Sequence, residues 1–273
     1  MKKLIRHTKM QFYLMVRLPY FWISLSLVVL YFIANIVYYG LSYYGYSATG
    51  IVTASDLYIL SSDNRFWGIF SILIPFICML PFGMQPLNDR ERKTGIYMTN
   101  RQNSKLYYLS GMLCSALGTF LIMFVNMLIC TVLLYIMFDE NGNTLQGSKY
   151  SVEYWLNIQS GYCYHFQNLH IKYPVIYIIV ITFIFSLFCN VISVFMYAAA
   201  VLIKKDRLII LLVAGAVSFI ISQIYLALGY DIYGDVTVSA VGRQTGIPTF
   251  FTAAAMLTAS FIIIFKQIKK DSV

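Results

Sequence analysis

Long apolar runs alternate with short charged segments along this chain, and that alternation sets its reading. Six stretches are long and apolar enough to be expected as membrane-spanning helices: about Tyr20 to Tyr39, Phe66 to Met84, Leu106 to Phe138, Pro174 to Ile203, Leu208 to Leu228 and Ile247 to Phe265. A crossing helix needs about 20 residues to traverse a hydrocarbon core of about 30 Å. The third run exceeds that and has length to tilt or protrude. Ahead of the first run, Lys2, Arg6, Lys9 and Arg17 fall near one helical face, and Ile5, Phe12, Met15 and Val16 on another. This predicts an amphipathic helix over residues 1–18 lying on the membrane surface. The alternative is a disordered basic leader; the aromatics Phe12, Tyr13 and Tyr20 favour the interfacial helix. The expected fold is all-α, a polytopic membrane protein of six transmembrane helices with an N-terminal interfacial helix, forming one domain over residues 1–273.

Composition agrees with that pattern. Of 273 residues, 59% are hydrophobic and 11% charged, and mean hydropathy is +0.71. A soluble domain carries about 25% charged residues, so too few are present to cover a soluble surface. The net charge of +9 is not concentrated on one module. The basic residues sit beside the spans, which points to anionic lipid headgroups rather than to nucleic acid as the partner. With the N-terminus inside, inward segments hold Lys2, Lys3, Arg6, Lys9, Arg17, Arg90, Arg92, Lys93, Arg101, Lys105, Lys204, Lys205, Arg207, Lys266, Lys269 and Lys270. Outward segments hold Arg65, Lys149, Lys172 and Arg243. Sixteen against four is a strong positive-inside bias. It predicts a cytoplasmic (inner) membrane protein with both termini in the cytoplasm. The basic start and the long run after Arg17 do not fit a cleaved signal peptide, so the N-terminal segment is expected to be retained.

The chemistry inside the expected spans is sparse. They contain no Asp, Glu, Lys, Arg or His, which argues against a proton- or ion-coupled transporter and against an intramembrane aspartyl protease. No phosphate-binding loop, zinc-protease helix or serine-nucleophile elbow occurs. Cys78, Cys114, Cys130 and Cys189 lie in apolar runs, and Cys163 in a loop with His165 and His170; neither a disulfide nor a metal site is expected. Asn35, Asn126, Asn190 and Gln223 are the stronger polar groups of the spans. They are read as interhelical hydrogen-bonding groups or as lining of a translocation pathway. Gly111, Ser115 and Gly118, like Gly215, Ser218 and Ser222, form small-residue stripes suited to close helix packing. Pro75, Pro81 and Pro86 predict kinks in the second span, architectural or gating. The outer loop, residues 139–173, is rich in aromatics such as Tyr154, Trp155 and Tyr164.

The most informative segment follows the second span, in the cytoplasmic loop of residues 86–105. It reads Asp89-Arg90-Glu91-Arg92-Lys93-Thr94-Gly95, then apolar residues, Ser104-Lys105, and Gly111 at the head of the third span. Charged residues interleaved with apolar ones suit a helix docking on a partner's groove, or a solvated basic loop. The segment resembles the coupling region of the type-2 ABC transporter permeases, in which an acidic-basic Glu-Arg-Glu-Arg-Gly-Thr stretch is followed by Ser-Arg and Gly-Lys. Arg90, Glu91, Arg92 and Thr94 match; Asp89 stands for the first acid, Ser104-Lys105 for Ser-Arg, and Gly111 for the glycine. Lys93 and Met112 depart from the pattern, and a proline near Asn103 is missing. About 25 residues match in sequence, while the layout matches over the whole chain.

The resemblance implies a permease subunit of an ATP-driven exporter. Asp89, Arg90, Glu91, Arg92, Thr94, Gly95, Ser104 and Lys105 would form the ATPase-coupling interface. Lys204, Lys205, Asp206 and Arg207 would provide a second cytoplasmic contact. The chain would pair with a second permease, identical or different, and with separate ATPase subunits that bind ATP and Mg²⁺; it would hold no cofactor and perform no hydrolysis itself. The family also implies re-entrant helices between the last two spans, where Gly229 to Gly246 lies. The aromatic outer loop favours an amphipathic cargo such as a peptide, in export or immunity. The alternative is a non-transporting membrane sensor or assembly factor whose loop recruits a cytoplasmic partner.

Overall fold

The computed structural model describes residues 2–44, 54, 57–61, 64–92, 104–138, 169, 173–203, 207–227, 233 and 247–271. Regular structure among them is helical: α1 (Lys2–Arg17), α2 (Pro19–Ser42), α3 (Trp67–Met79), α4 (Gln85–Glu91), α5 (Ser104–Phe120), a π turn (Leu121–Val125), α6 (Asn126–Met137), α7 (Pro174–Leu202), α8 (Arg207–Ala227) and α9 (Ile247–Asp271). Four described segments are long and apolar enough to cross a membrane: Pro19–Ser42, Ser104–Met137, Val175–Leu202 and Thr249–Asp271. The second and fifth expected spans correspond to shorter apolar helices, Trp67–Met79 and Gly215–Tyr225 within α8. A polytopic, all-helical membrane protein is thus present, with four of the six expected runs reaching span length among the described residues.

Prolines set two of the boundaries. Leu18 is extended (φ −77°, ψ 137°) before Pro19 at the first turn of α2, because the pyrrolidine ring excludes the helical conformation in the residue before it. The expected helix over residues 1–18 therefore forms and then breaks sharply. One detail differs: Ile5 is 62% exposed, and the face that packs inward carries Gln11 and Met15. Of the three prolines expected to kink the second span, Pro75 lies inside α3, Pro81 falls in the turns that follow it, and Pro86 sits in the first turn of α4. Pro81 has no N–H to offer the Ile77 carbonyl four residues back, and the Ser24 hydroxyl from α2 donates to that carbonyl instead, at 3.0 Å. The neighbouring Cys78 carbonyl accepts from Thr119 at 3.3 Å. Turns then carry the chain from Leu80 to Met84 into α4.

The long helix of the third span is interrupted once, by the π turn. There the Asn126 N–H goes to the Met123 carbonyl, and the Asn126 side-chain amide donates to the Ile122 carbonyl at 2.6 Å. At the α5–α7 contact, Ser115, Thr119 and Ser193 form a buried hydroxyl cluster, with Ser115 and Ser193 Oγ atoms 2.6 Å apart and Thr119 donating to Ser193 at 2.9 Å. Small residues permit this approach: a Cβ on Gly111 would overlap the Tyr197 phenol, and one on Gly118 would overlap Met15 of α1.

Candidate functional site

The hydrogen bonds sort the helix ends into two groups. At one end, α1, α4, the start of α5, the end of α7 and the end of α9 meet. At the other, the end of α2 meets the start of α3 and the end of α6: the Arg65 N–H donates to Tyr39 Oη at 3.0 Å, and the Tyr43 and Phe138 rings pack 6.1 Å apart. The first end is the basic one, with Lys2, Lys3, Arg6, Lys9, Arg17, Arg90, Arg92, Lys105, Lys266, Lys269 and Lys270 on the elements that meet there.

Within the basic end, α4 is fastened to the bundle by two adjacent residues. Asp89, though a carboxylate, is only 6% exposed. Its oxygens accept from Gln85 Nε2 at 2.8 Å and from the Tyr107 hydroxyl at 2.5 Å. Arg90 reaches the C-terminus of α7, where the last carbonyls lack helical partners. Its guanidinium donates to the Val201 carbonyl and, at 3.5 Å, to that of Ala200. A cation at a helix C-terminus is also favoured by the helix dipole. Tyr108, the neighbour of Tyr107, donates to Asp271 at the end of α9, at 2.6 Å; Gln267 Nε2 donates to the same carboxylate at 2.8 Å. Gln11 of α1 donates to the Tyr107 carbonyl at 3.3 Å. Residues 85–91 are thereby tied directly to α5 and α7, and through the Tyr107–Tyr108 pair to α1 and α9.

Of the residues assigned to coupling, Asp89 and Arg90 thus face into the bundle, while Glu91 and Arg92 are exposed. Ser104 is buried and Lys105 exposed, both on the first turn of α5. Thr94 and Gly95 lie outside the described residues, as do Lys204, Lys205 and Asp206. Arg207 opens α8. The outer loop is outside them apart from Leu169 and Tyr173, and the Gly229 to Gly246 segment apart from Tyr233.

The four polar residues proposed for a pathway have separate settings. Asn35 is fully buried and accepts from Asn64 Nδ2 at 2.9 Å; its own Nδ2 has no hydrogen-bond partner among the described residues. Asn126 completes the π turn. Asn190 is partly buried on α7, and Gln223 is exposed on α8. No hydrogen bond joins any two of them among the described residues. Sequence reasoning passed over Asn64, which organises the opposite end: it also donates to the Leu57 carbonyl at 2.7 Å and accepts the Phe66 N–H at 2.8 Å. That last bond is an Asx turn leading into α3, a role that Asn two residues before an apolar helix signals. The segment it anchors, Leu57 to Leu60, is almost wholly inaccessible, and the Tyr58 hydroxyl lies 2.5 Å from Thr182 Oγ1.

Compared with family models, curated proteins and solved structures, the chain matches none.

Proposed function

We propose that this chain is the permease subunit of an ATP-driven exporter, anchored in the cytoplasmic membrane with its basic end and both termini in the cytoplasm. On this reading, α3 and α8 complete six crossings together with the four longer segments. Two permeases, identical or different, pair around a pathway, and each engages an ATPase subunit carrying ATP and Mg²⁺.

The observation that carries the reading is the setting of residues 89–92. The stretch that resembles a type-2 ABC permease coupling motif has its first two charges anchored on the bundle and its next two exposed. A segment that transmits a partner's movement needs both: a surface for the partner to grip and rigid attachment to the helices to be moved. Glu91 and Arg92 supply the first; Asp89 on Tyr107 and Arg90 on the end of α7 supply the second. The positive-inside bias supports the orientation. The cargo is an amphipathic molecule, a peptide by preference, in keeping with the aromatic outer loop and the absence of charge within the expected spans.

Copurification of the chain with its ATPase tests the assignment. Glu91→Ala and Gly95→Pro are expected to insert normally and to release or uncouple the ATPase, read as loss of chain-dependent ATP hydrolysis. Unchanged ATPase association and unchanged hydrolysis in both variants would overturn the coupling role. An insertion-competent chain that binds no ATPase at all would favour a sensor or assembly factor.

A further inference from the structure

Two sides of α1 face α5 differently. Near its C-terminal end α1 is in close contact: Met15 is fully buried against Gly118, with Cys114 Sγ 3.9 Å from Met15 Sδ. On another side of α1, an open wedge of about 420 Å³ lies between it and α5, within the range of about 300–1,000 Å³ typical of small-molecule clefts. Ile5, Lys9 and Phe12 line it from α1, and Leu113 and Leu117 from α5. The walls remain uncovered: Ile5 is 62% exposed, Leu113 44% and Leu117 47%. Thr8, also at the wedge, spends its hydroxyl on the Leu4 carbonyl at 3.0 Å. Among the residues lining the wedge, the polar group left to meet a ligand is therefore the Lys9 ammonium; Lys2 lies beyond the lining, two turns earlier on α1.

Lys2 and Lys9 of the basic face and Ile5 and Phe12 of the apolar face follow a three-four-three spacing, which places them along the border between the two faces of α1. Two ammonium groups thus flank an apolar side chain along the stripe that borders the wedge. No acidic residue occurs anywhere in α1, so nothing on this helix neutralises them. A carbon-lined wedge with cations on its margin matches an amphiphile that combines a hydrocarbon tail with an anionic head. A free anion would leave the walls uncovered, and an uncharged tail would leave the ammonium groups unused.

We infer that the α1–α5 wedge is a binding site for a single anionic phospholipid, one acyl chain lying against Leu113 and Leu117 and the phosphate held by Lys9 and Lys2. The inference rests on the proposed position of α1 at the cytoplasmic membrane surface. The site would pin α1 against the helix that begins at the coupling segment, and so tie that segment to the charge of the surrounding leaflet.

Native mass spectrometry of the purified full chain tests this in detergent containing equal phosphatidylglycerol and phosphatidylcholine. One phosphatidylglycerol is expected to be retained in preference to phosphatidylcholine. The Lys2→Gln/Lys9→Gln double variant should lower that affinity roughly tenfold or more, given two basic groups near the headgroup. Leu113→Trp, which fills the wedge without altering charge, should also expel the lipid. Lys269→Gln/Lys270→Gln, equally basic but on α9, should retain it. Equal retention of the two lipids, or undiminished phosphatidylglycerol in the lysine variant, would overturn the site; the lysines are exposed, so that variant is not confounded by unfolding. The ATPase measurements above are made independently, so failure here leaves the coupling assignment standing, and the reverse.

Discussion

The Tyr107 hydroxyl donates to the Asp89 carboxylate across 2.5 Å, joining the short helix after the second apolar run to the first full turn of the third. Eighteen residues separate the pair in sequence, and Asp89 is buried where they meet. A hydrogen bond to a charged group contributes about 1.5–3 kcal/mol. Tyr107→Phe is therefore expected to lower stability by about that amount, seen as an earlier thermal transition in detergent. It should also increase protease cleavage between residues 92 and 104. An unaltered transition would mean that the bond contributes nothing to holding α4.

The Ser24–Ile77 bond replaces one that Pro81 removes, which gives a test by double-mutant cycle. Interhelical hydrogen bonds in membranes contribute about 0.6 kcal/mol on average, and at most about 1.7. Ser24→Ala should cost an amount in that range. In a Pro81→Ala background the main-chain N–H returns to the Ile77 carbonyl, so the same Ser24→Ala change should cost measurably less. Equal costs in both backgrounds would show that the hydroxyl is not compensating for the proline.

A side chain larger than hydrogen at Gly118 would require the buried Met15 thioether to move. Gly118→Val should destabilise by about 1–3 kcal/mol, the usual range for overpacking. Met15→Ala in the same chain should recover part of the loss by opening room, which thermal melts of the single and double variants would measure. If both substitutions simply add, the two residues do not share the contact.

A tag placed after Gly147 is expected to be labelled from outside intact cells, and a tag at the C-terminus only after permeabilisation. The basis is the basic end of the bundle, with Arg90, Arg92 and Lys105 next to the ends of α7 and α9, set against Arg65 at the other end. Labelling of the Gly147 tag from the cytoplasm alone would reverse the proposed orientation.

What the sequence disclosed depended on the range of each interaction. Apolar runs are a local signal, so α2, α7 and α9 stand close to their expected limits, and Leu18-Pro19 marks the break after α1 directly. The prolines of the second run announced lost hydrogen bonds; that Ser24 would supply the Ile77 carbonyl's new partner depends on a tertiary neighbour 53 residues away. The segment from Asp89 to Arg92 was legible as a row of charges. Its division into an inward pair and an outward pair was not, because burial of Asp89 requires Tyr107 and Gln85 to be in place. Asn126 illustrates the same limit. A polar residue in an apolar run looks like a pathway or interface group, yet it answers a carbonyl one turn earlier in its own helix. The segment around Tyr58 gave no periodic signal, and only Asn64, two residues ahead of Phe66, hinted that the stretch before α3 is fixed.

The π turn at Leu121–Val125 has a consequence for heredity as well as for shape. Such a turn accommodates one residue beyond the ordinary helical count, so the side chains after it are rotated by about 100° from where an unbroken helix would put them. The face that meets α7 through Ser115 and Thr119 and the face bearing Cys130 and Thr131 are therefore indexed separately. Loss of a single codon within these five positions would remove the extra residue and leave the two faces in their present register, whereas loss of one codon between the π turn and Cys130 would turn one half of the longest described apolar segment against the other.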